Sequence, residues 1–218
     1  AYEKAEEKIL LHTKDITSYK DLQNKPNFGP KIINKLKEIE TTGKLSYLEK
    51  AENDPLQVLT NIYGIGPKKA ENLISKDIRT ISDLKNNTTL LTDAQKTGLL
   101  YFEDIEKRIP REKINEYEIQ FKSILKTIDE NANLEIVGSY RRKVKTSGDI
   151  DVIISHSNND ETIFLKFLEE LKSKNIIIDF LSKGKTKSLT VAKLDDDIAR
   201  RIDFLYSSSD EYPFAILY

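Results

Sequence analysis

The chain has 218 residues, with 35 lysines and arginines against 36 aspartates and glutamates, and no cysteine, methionine or tryptophan. Without cysteine there is no disulfide and no thiolate metal site, so a bound metal must sit among oxygen ligands, where Mg²⁺ is the natural ion. No apolar run approaches the roughly eighteen residues that span a bilayer, and the charged first segment is unlike a signal peptide, so no membrane partner is expected. The length suits one large domain or two to three small ones. A near-zero net charge hides basic clusters at 141–145 and 183–187, which keep a nucleic-acid partner open. A chain that starts at Ala1 and lacks methionine reads as a segment of a longer protein.

Apolar and charged residues recur at helical spacing from Tyr2 to about Leu11 and again from Tyr19, predicting short helices. Pro26-Asn27-Phe28-Gly29-Pro30 then precedes a helical run from Lys31 to Ile39. A near repeat, Tyr63-Gly64-Ile65-Gly66-Pro67, precedes another from Lys68 to Ile74. Each pattern predicts a helix, a tight turn and a second helix opened by a proline, where a missing N–H costs little. The first copy has Asn27 where the second has Gly64, and asparagine is the next-best residue for a left-handed turn. Both resemble helix-hairpin-helix motifs. That resemblance implies that Asn27, Gly29, Gly64, Gly66 and Lys68 lie at DNA phosphates, held by hairpin N–H groups and a helix N-terminus. It also implies that the carbonyls of Thr60, Ile62 and Ile65 bind a monovalent cation, Na⁺ or K⁺. An ordinary helical hairpin accounts for either copy alone.

Lys31 and Lys35 are four apart on one helix face, and Lys44 follows the helix end expected at Thr42-Gly43. Crowded cations favour a neutral amine, which can attack the C1′ aldehyde of an abasic sugar; the same face also suits plain phosphate anchoring. Helical spacing continues from 80 to 108. Pro110 then opens a long helix with Ile114, Tyr117, Phe121, Ile124, Leu125 and Ile128 on one side.

After Ala132, β-branched runs predict strands at 134–139, 149–155, 176–181, 188–194 and 201–206, with a helix over about 161–174. Strands with helices on one face make an α+β arrangement. Gly138-Ser139 is expected to close the first strand, and a basic turn follows. Asp149 and Asp151, at i and i+2 at the head of an apolar strand, point to one side. Asp203 adds a carboxylate from a separate strand. Three carboxylates can hold two Mg²⁺ about 4 Å apart, which two hold poorly. Beside them the N–H groups, hydroxyl and guanidinium groups of the turn suit a triphosphate. Taken alone, an Asp-x-Asp pair is equally a solvated strand face. His12 and His156 have no partners at metal-ligand spacing.

Gly138-Ser139, nine residues, then Asp149-Ile150-Asp151-Val152 resembles the nucleotidyltransferase signature. With Arg141-Arg142, Ser147-Gly148, the paired hairpins and the passage from Tyr101 to Glu112, the chain is similar to family X DNA polymerases of the polymerase beta type. The resemblance implies a multidomain α and α+β protein: an all-helical N-terminal half with two helix-hairpin-helix motifs, then a nucleotidyltransferase palm with a mixed β-sheet. Its expected parts are a lyase-like domain at 1–50, a DNA-binding domain at 51–109, the palm at 110–209, and at 210–218 the start of a C-terminal nucleotide-selecting subdomain. It implies a gap-filling DNA repair polymerase, monomeric and intracellular, acting on gapped or nicked duplex DNA and dNTPs with two Mg²⁺ ions. Asp149, Asp151 and Asp203 become the catalytic metal ligands. Ser139, Arg142, Ser147, Gly148, Arg108 and Tyr218 become nucleotide contacts, and Lys183, Thr186 and Lys187 contacts to the DNA strands. Lys35 takes the position of a deoxyribose-phosphate lyase nucleophile, with Lys31, Tyr2 and Lys44 around it. A DNA-gap-binding module without turnover and a template-independent terminal transferase are the alternatives.

Overall fold

The computed structural model describes residues 1–48, 54–194 and 198–217 and falls into two compact units, Ala1–Val58 and Leu59–Tyr218. In the first unit the helix Tyr2–Leu10, a 3₁₀ turn at Tyr19–Leu22 and the helix Pro30–Thr42 enclose a small core of Ala5, Leu22 and Phe28. The Asp21 carboxylate accepts the N–H groups of Thr17 and Ser18 and starts the 3₁₀ turn, a reciprocal cap. The helix Pro30–Thr42 ends at Gly43, as expected, in a left-handed cap.

In the second unit the helices Pro67–Ile74, Ile81–Lys85, Asp93–Leu100 and Phe102–Ile105 come first. Capping boxes at Thr80/Asp83 and Thr92/Gln95 set two of their starts. The strands are β1 (Ile109–Pro110), β2 (Ala132–Ile136), β3 (Thr146–Ser147), β4 (Ile150–His156), β5 (Ile177–Lys183), β6 (Lys187–Ala192) and β7 (Arg200–Tyr206). β1 pairs with β3, and the main sheet runs β2-β4-β7-β6-β5 with only β4 and β7 parallel. The expected class, an all-helical first half followed by a palm with a mixed sheet, is borne out. One local expectation is corrected: the strand expected over 134–139 stops at Ile136, and Gly138–Arg141 forms a single helical turn.

The helices Arg111–Ile128 and Thr162–Ser173 bury their apolar stripes on one sheet face. Phe121, Phe167 and Phe204 interlock there with centroids 5.5 to 6.0 Å apart, tilted and edge-on as aromatic quadrupoles prefer. On the opposite face, Tyr63, Tyr101 and Ile105 of the helical segment cover Leu181, Leu189 and Val191. The Thr97 hydroxyl donates to Asp179 of β5 at 2.7 Å, and the carboxylate of Asp104 accepts the Ala199 N–H at 3.1 Å. Among the described residues no helix is long and apolar enough to cross a membrane.

Candidate functional site

In the parallel β4–β7 ladder Asp151 lies directly opposite Asp203. Side chains alternate along a strand, so Asp149 and Arg201, two residues earlier on each chain, share that face. One oxygen from each of Asp149, Asp151 and Asp203 lies within 4.8 Å of the other two. The Arg201 guanidinium donates to Asp149 Oδ2, and its Nε lies 3.5 Å from Asp203 Oδ1. Asp203 Oδ1 is buried and accepts no hydrogen bond from the described residues.

Burial pushes the Asp151 carboxyl above the ordinary aspartate range, against the pull of Arg142 and Lys187. Burial does the same to Asp203; Arg201 and Lys187 pull it back, while the Asp151 carboxylate pushes it further. Crowded, partly desolvated carboxylates with an unsatisfied buried oxygen form a donor set that a hard dication satisfies. The three aspartates therefore make a group that could hold a divalent metal ion.

The turn Gly138–Arg141 sits against them. Gly138 has φ +60°, and a Cβ there would lie 1.9 Å from Asp151 Oδ2; glycine lets the backbone reach the carboxylate. The Val137 N–H donates to the Asp151 carbonyl at 2.9 Å, and Ser139 Oγ donates to Ser147 Oγ at 2.7 Å. A cleft of about 580 Å³ opens beside the turn, lined by Gly138, Arg142, Asp151, Lys187, Asp203 and Phe214. Arg108 folds over β3, donating from Nε to Thr146 Oγ1 at 3.2 Å and from Nη2 to the Thr146 carbonyl. Its Nη1 lies 3.3 Å from the point where a Cβ on Gly148 would be.

Of the other expected residues, Lys183 lies at the end of β5 with its ammonium 5.1 Å from the Phe180 ring. The Thr186 carbonyl accepts the Tyr206 N–H at 2.7 Å. Lys187 shares the carboxylate face of the sheet through its register with Leu205. Tyr218 lies outside the described residues.

The two hairpin turns have the same backbone. Asn27 has φ +73° and Gly64 φ +79°. The next N–H donates back three residues in each, Phe28 to the Lys25 carbonyl and Ile65 to the Ile62 carbonyl, at 3.3 and 3.0 Å. Gly29 and Gly66 then cap helices whose first residue is proline. The side chain between the two turn positions, Phe28 or Ile65, is buried as a plug, and the polar rims of the turns face solvent. Lys68 is exposed in the first turn of its helix.

In the first unit Lys35 Nζ donates to the Tyr2 hydroxyl at 2.7 Å. It also lies 4.9 and 4.8 Å from the ring centroids of Tyr2 and Tyr47, inside cation–π range. Lys31 and Lys44 are exposed near the two ends of the same helix.

Three residues at the carboxylate site were absent from the sequence-derived set. Arg201 carried a readable signal, since it precedes Asp203 by the strand period. Gly138 was noted as part of a motif, but its steric reason lies in Asp151. Arg111, which grips the turn through Tyr140, had no signal.

The DNA polymerase beta palm family matches residues 108–209, and the fingers domain of DNA polymerase lambda matches residues 57–106. The chain is similar to DNA polymerase lambda of Arabidopsis thaliana, 33% identical over 93% of this chain and 41% of that protein. It is similar to DNA polymerase lambda of Rattus norvegicus, 28% identical over 100% of this chain and 40% of that protein. It also resembles the type-X family protein pol4 of Schizosaccharomyces pombe, 28% identical over 87% of this chain and 40% of that protein. The chain thus spans about two fifths of the length of these relatives. Both matched segments keep their order, and the palm match contains the whole carboxylate face and its turn; on these grounds the chain belongs to the family X DNA polymerases.

Proposed function

We propose that this chain is the hairpin and palm part of a repair polymerase that adds dNTPs to a primer 3′-OH in gapped or nicked duplex DNA. The observation that carries this reading is the carboxylate face of β4 and β7 with the helical turn Gly138–Arg141 at its edge. Asp149, Asp151 and Asp203 would hold Mg²⁺, which when bound supplies Lewis-acid stabilisation of charge on the attacking and departing oxygens. The chain's own groups bind and orient. Ser139, Arg142, Ser147, Gly148 and Arg108 take the triphosphate with hydroxyl, N–H and guanidinium donors. Asn27, Gly29, Gly64, Gly66 and Lys68 hold DNA phosphates at the hairpins, assisted by a Na⁺ or K⁺ on the Thr60, Ile62 and Ile65 carbonyls. Lys183, Thr186 and Lys187 contact the primer and template strands, and Tyr218 belongs to the nucleotide-selecting segment.

We divide the chain into a lyase-like domain at 1–50, a DNA-binding domain at 51–109, the palm at 110–209 and the start of a further subdomain at 210–218. The decisive experiment is gap filling by the full-length protein on DNA with a one-nucleotide gap and a 5′-phosphate. Incorporation of one templated nucleotide supports the reading. Stable gap binding without incorporation would replace it with a binding module, and untemplated tailing with a terminal transferase.

A second activity is favoured by the seat of Lys35 between Tyr2 and Tyr47. Its amine would add to the C1′ aldehyde of a 5′-deoxyribose-phosphate end, and loss of water would leave a Schiff base. Borohydride should trap that adduct on the full-length protein and not on its Lys35→Ala variant. Equal trapping by both would reduce Lys31, Lys35 and Lys44 to phosphate anchors.

A further inference from the structure

The turn Gly138–Arg141 is one helical turn long, too short to fix its own orientation. Successive side chains of a helix point about 100° apart, so Ser139 and Arg142, three residues apart, share one side. Tyr140 leaves on another. There the Arg111 guanidinium stacks on the Tyr140 ring, its Cζ 4.0 Å from the centroid, while Nη1 donates to the Tyr140 carbonyl at 2.7 Å. The Tyr140 hydroxyl lies 2.7 Å from Asn115 Oδ1 and 2.8 Å from Glu118 Oε2. Arg111, Asn115 and Glu118 follow one another at i, i+4 and i+7 along a single face of the helix Arg111–Ile128. Lys122 continues the stripe and donates to Glu118 at 2.6 Å. Burial alone would raise Glu118, but the bonds from Lys122 and Tyr140 hold its carboxyl below the ordinary glutamate range, which keeps it an acceptor.

We infer that Arg111 is a positioning residue for the nucleotide triphosphate: by gripping both the ring and the carbonyl of Tyr140 it sets the rotation of the turn, and so the direction of Ser139 and Arg142. The inference rests on the polymerase reading. Arg111 touches no candidate ligand atom itself. A planar guanidinium is required, because only it stacks on a ring and donates in its own plane at once. The backbone adds a second anchor, since the Arg111 N–H donates to the Lys145 carbonyl at 3.1 Å. That bond survives side-chain substitution, so variants should remain folded.

The test uses the full-length protein with gapped DNA, comparing wild type, Arg111→Ala, Arg111→Lys and Tyr140→Phe. Removing Arg111 should raise the KM for dNTP about tenfold and lower kcat by less than about threefold, because phosphate binding is lost before and during the reaction alike. Lysine keeps the charge and loses the fork, so Arg111→Lys should rescue little. Tyr140→Phe keeps the ring and should raise KM about threefold. Calorimetric titration of dNTP with Ca²⁺ in place of Mg²⁺ reads the same order of affinities without turnover. DNA affinity and melting temperature should stay near wild type. An unchanged KM and dNTP affinity in Arg111→Ala, or full rescue by lysine, overturns the inference while leaving the polymerase reading intact. A wild type that neither binds nor adds dNTP overturns both.

Discussion

Asp203 and Phe204 are neighbours in β7 with opposite fates. Phe204 enters the aromatic core between Phe121 and Phe167, and Asp203 joins two other carboxylates on the reverse side of the sheet. The alternation continues across the ladder: Val152 pairs with Phe204, and Asp151 with Asp203. One face is covered by two long helices and is largely apolar, with the buried Ser188 and Thr190 of β6 among its polar residues. The other gathers like charges, a condition that destabilises a fold and is retained where a ligand needs it. The difference teaches that in β7 the strand period, residue by residue, sends one side chain to the aromatic core and the next to the charged cluster.

The sharpest way to break that separation is to disable one face and watch the other. Replacing Asp203 by asparagine should reduce nucleotide addition by the full-length protein at least about a thousandfold, since a metal ligand contributes several kcal/mol in the transition state. DNA binding should change little in an electrophoretic or anisotropy titration. Near-normal incorporation would remove Asp203 from the chemistry.

The reciprocal change, Phe204→Ala, should cost about 3 to 5 kcal/mol of unfolding free energy, as large-to-small changes in packed aromatic cores do. Denaturant melts should show it. A cost below about 1 kcal/mol would mean that the aromatic cluster is loosely packed.

Gly138→Ala sits where the faces meet. The left-handed backbone alone costs about 1 to 2 kcal/mol for a residue with a Cβ, and the new methyl collides with Asp151 Oδ2. Activity should therefore fall by more than stability does. Equal losses on the two scales would make Gly138 a folding residue only.

The carboxylate face also has its own pH signature. Asp151 and Asp203 have carboxyls raised in the fold, so they bind protons more readily folded than unfolded. Their contribution to stability is fully present below the ordinary aspartate range and is lost as pH rises through the raised values. In metal-free buffer Asp203→Asn should consequently raise the melting temperature at neutral pH, with the gain shrinking as the buffer is acidified. A gain independent of pH would assign the effect to something other than charge.

The smallest effect separates the two hairpin turns. Asn27→Gly should alter stability by no more than about half a kcal/mol, because asparagine tolerates the left-handed conformation. Gly64→Val should cost more in stability and in DNA affinity, since a β-branched side chain resists that φ and its Cβ would press on Gln95 at 3.1 Å. Equal responses would mean that the second turn is no more constrained than the first.

Local order was legible in the chain itself. Helical period, a proline at the start of both hairpin helices and of the long helix, and a glycine or asparagine at each hairpin turn are short-range constraints, and they located both hairpins and the long helix after Pro110. The strand period placed Asp149 and Asp151 on one side, because alternation depends only on the backbone. Three things were decided by tertiary structure. The parallel pairing of β4 with β7, which lines up Asp151 and Asp203, depends on ladder contacts between segments far apart in sequence. The helical turn at Gly138–Arg141, whose first two residues were expected to close a strand, is stabilised by Tyr140 and Ser139 reaching the helix Arg111–Ile128 and β3. Arg201 and Arg111 matter only through partners that the fold brings to them. Periodicity reports which way a side chain points; which other group it meets there is a non-local free energy, settled only when the sheet has closed.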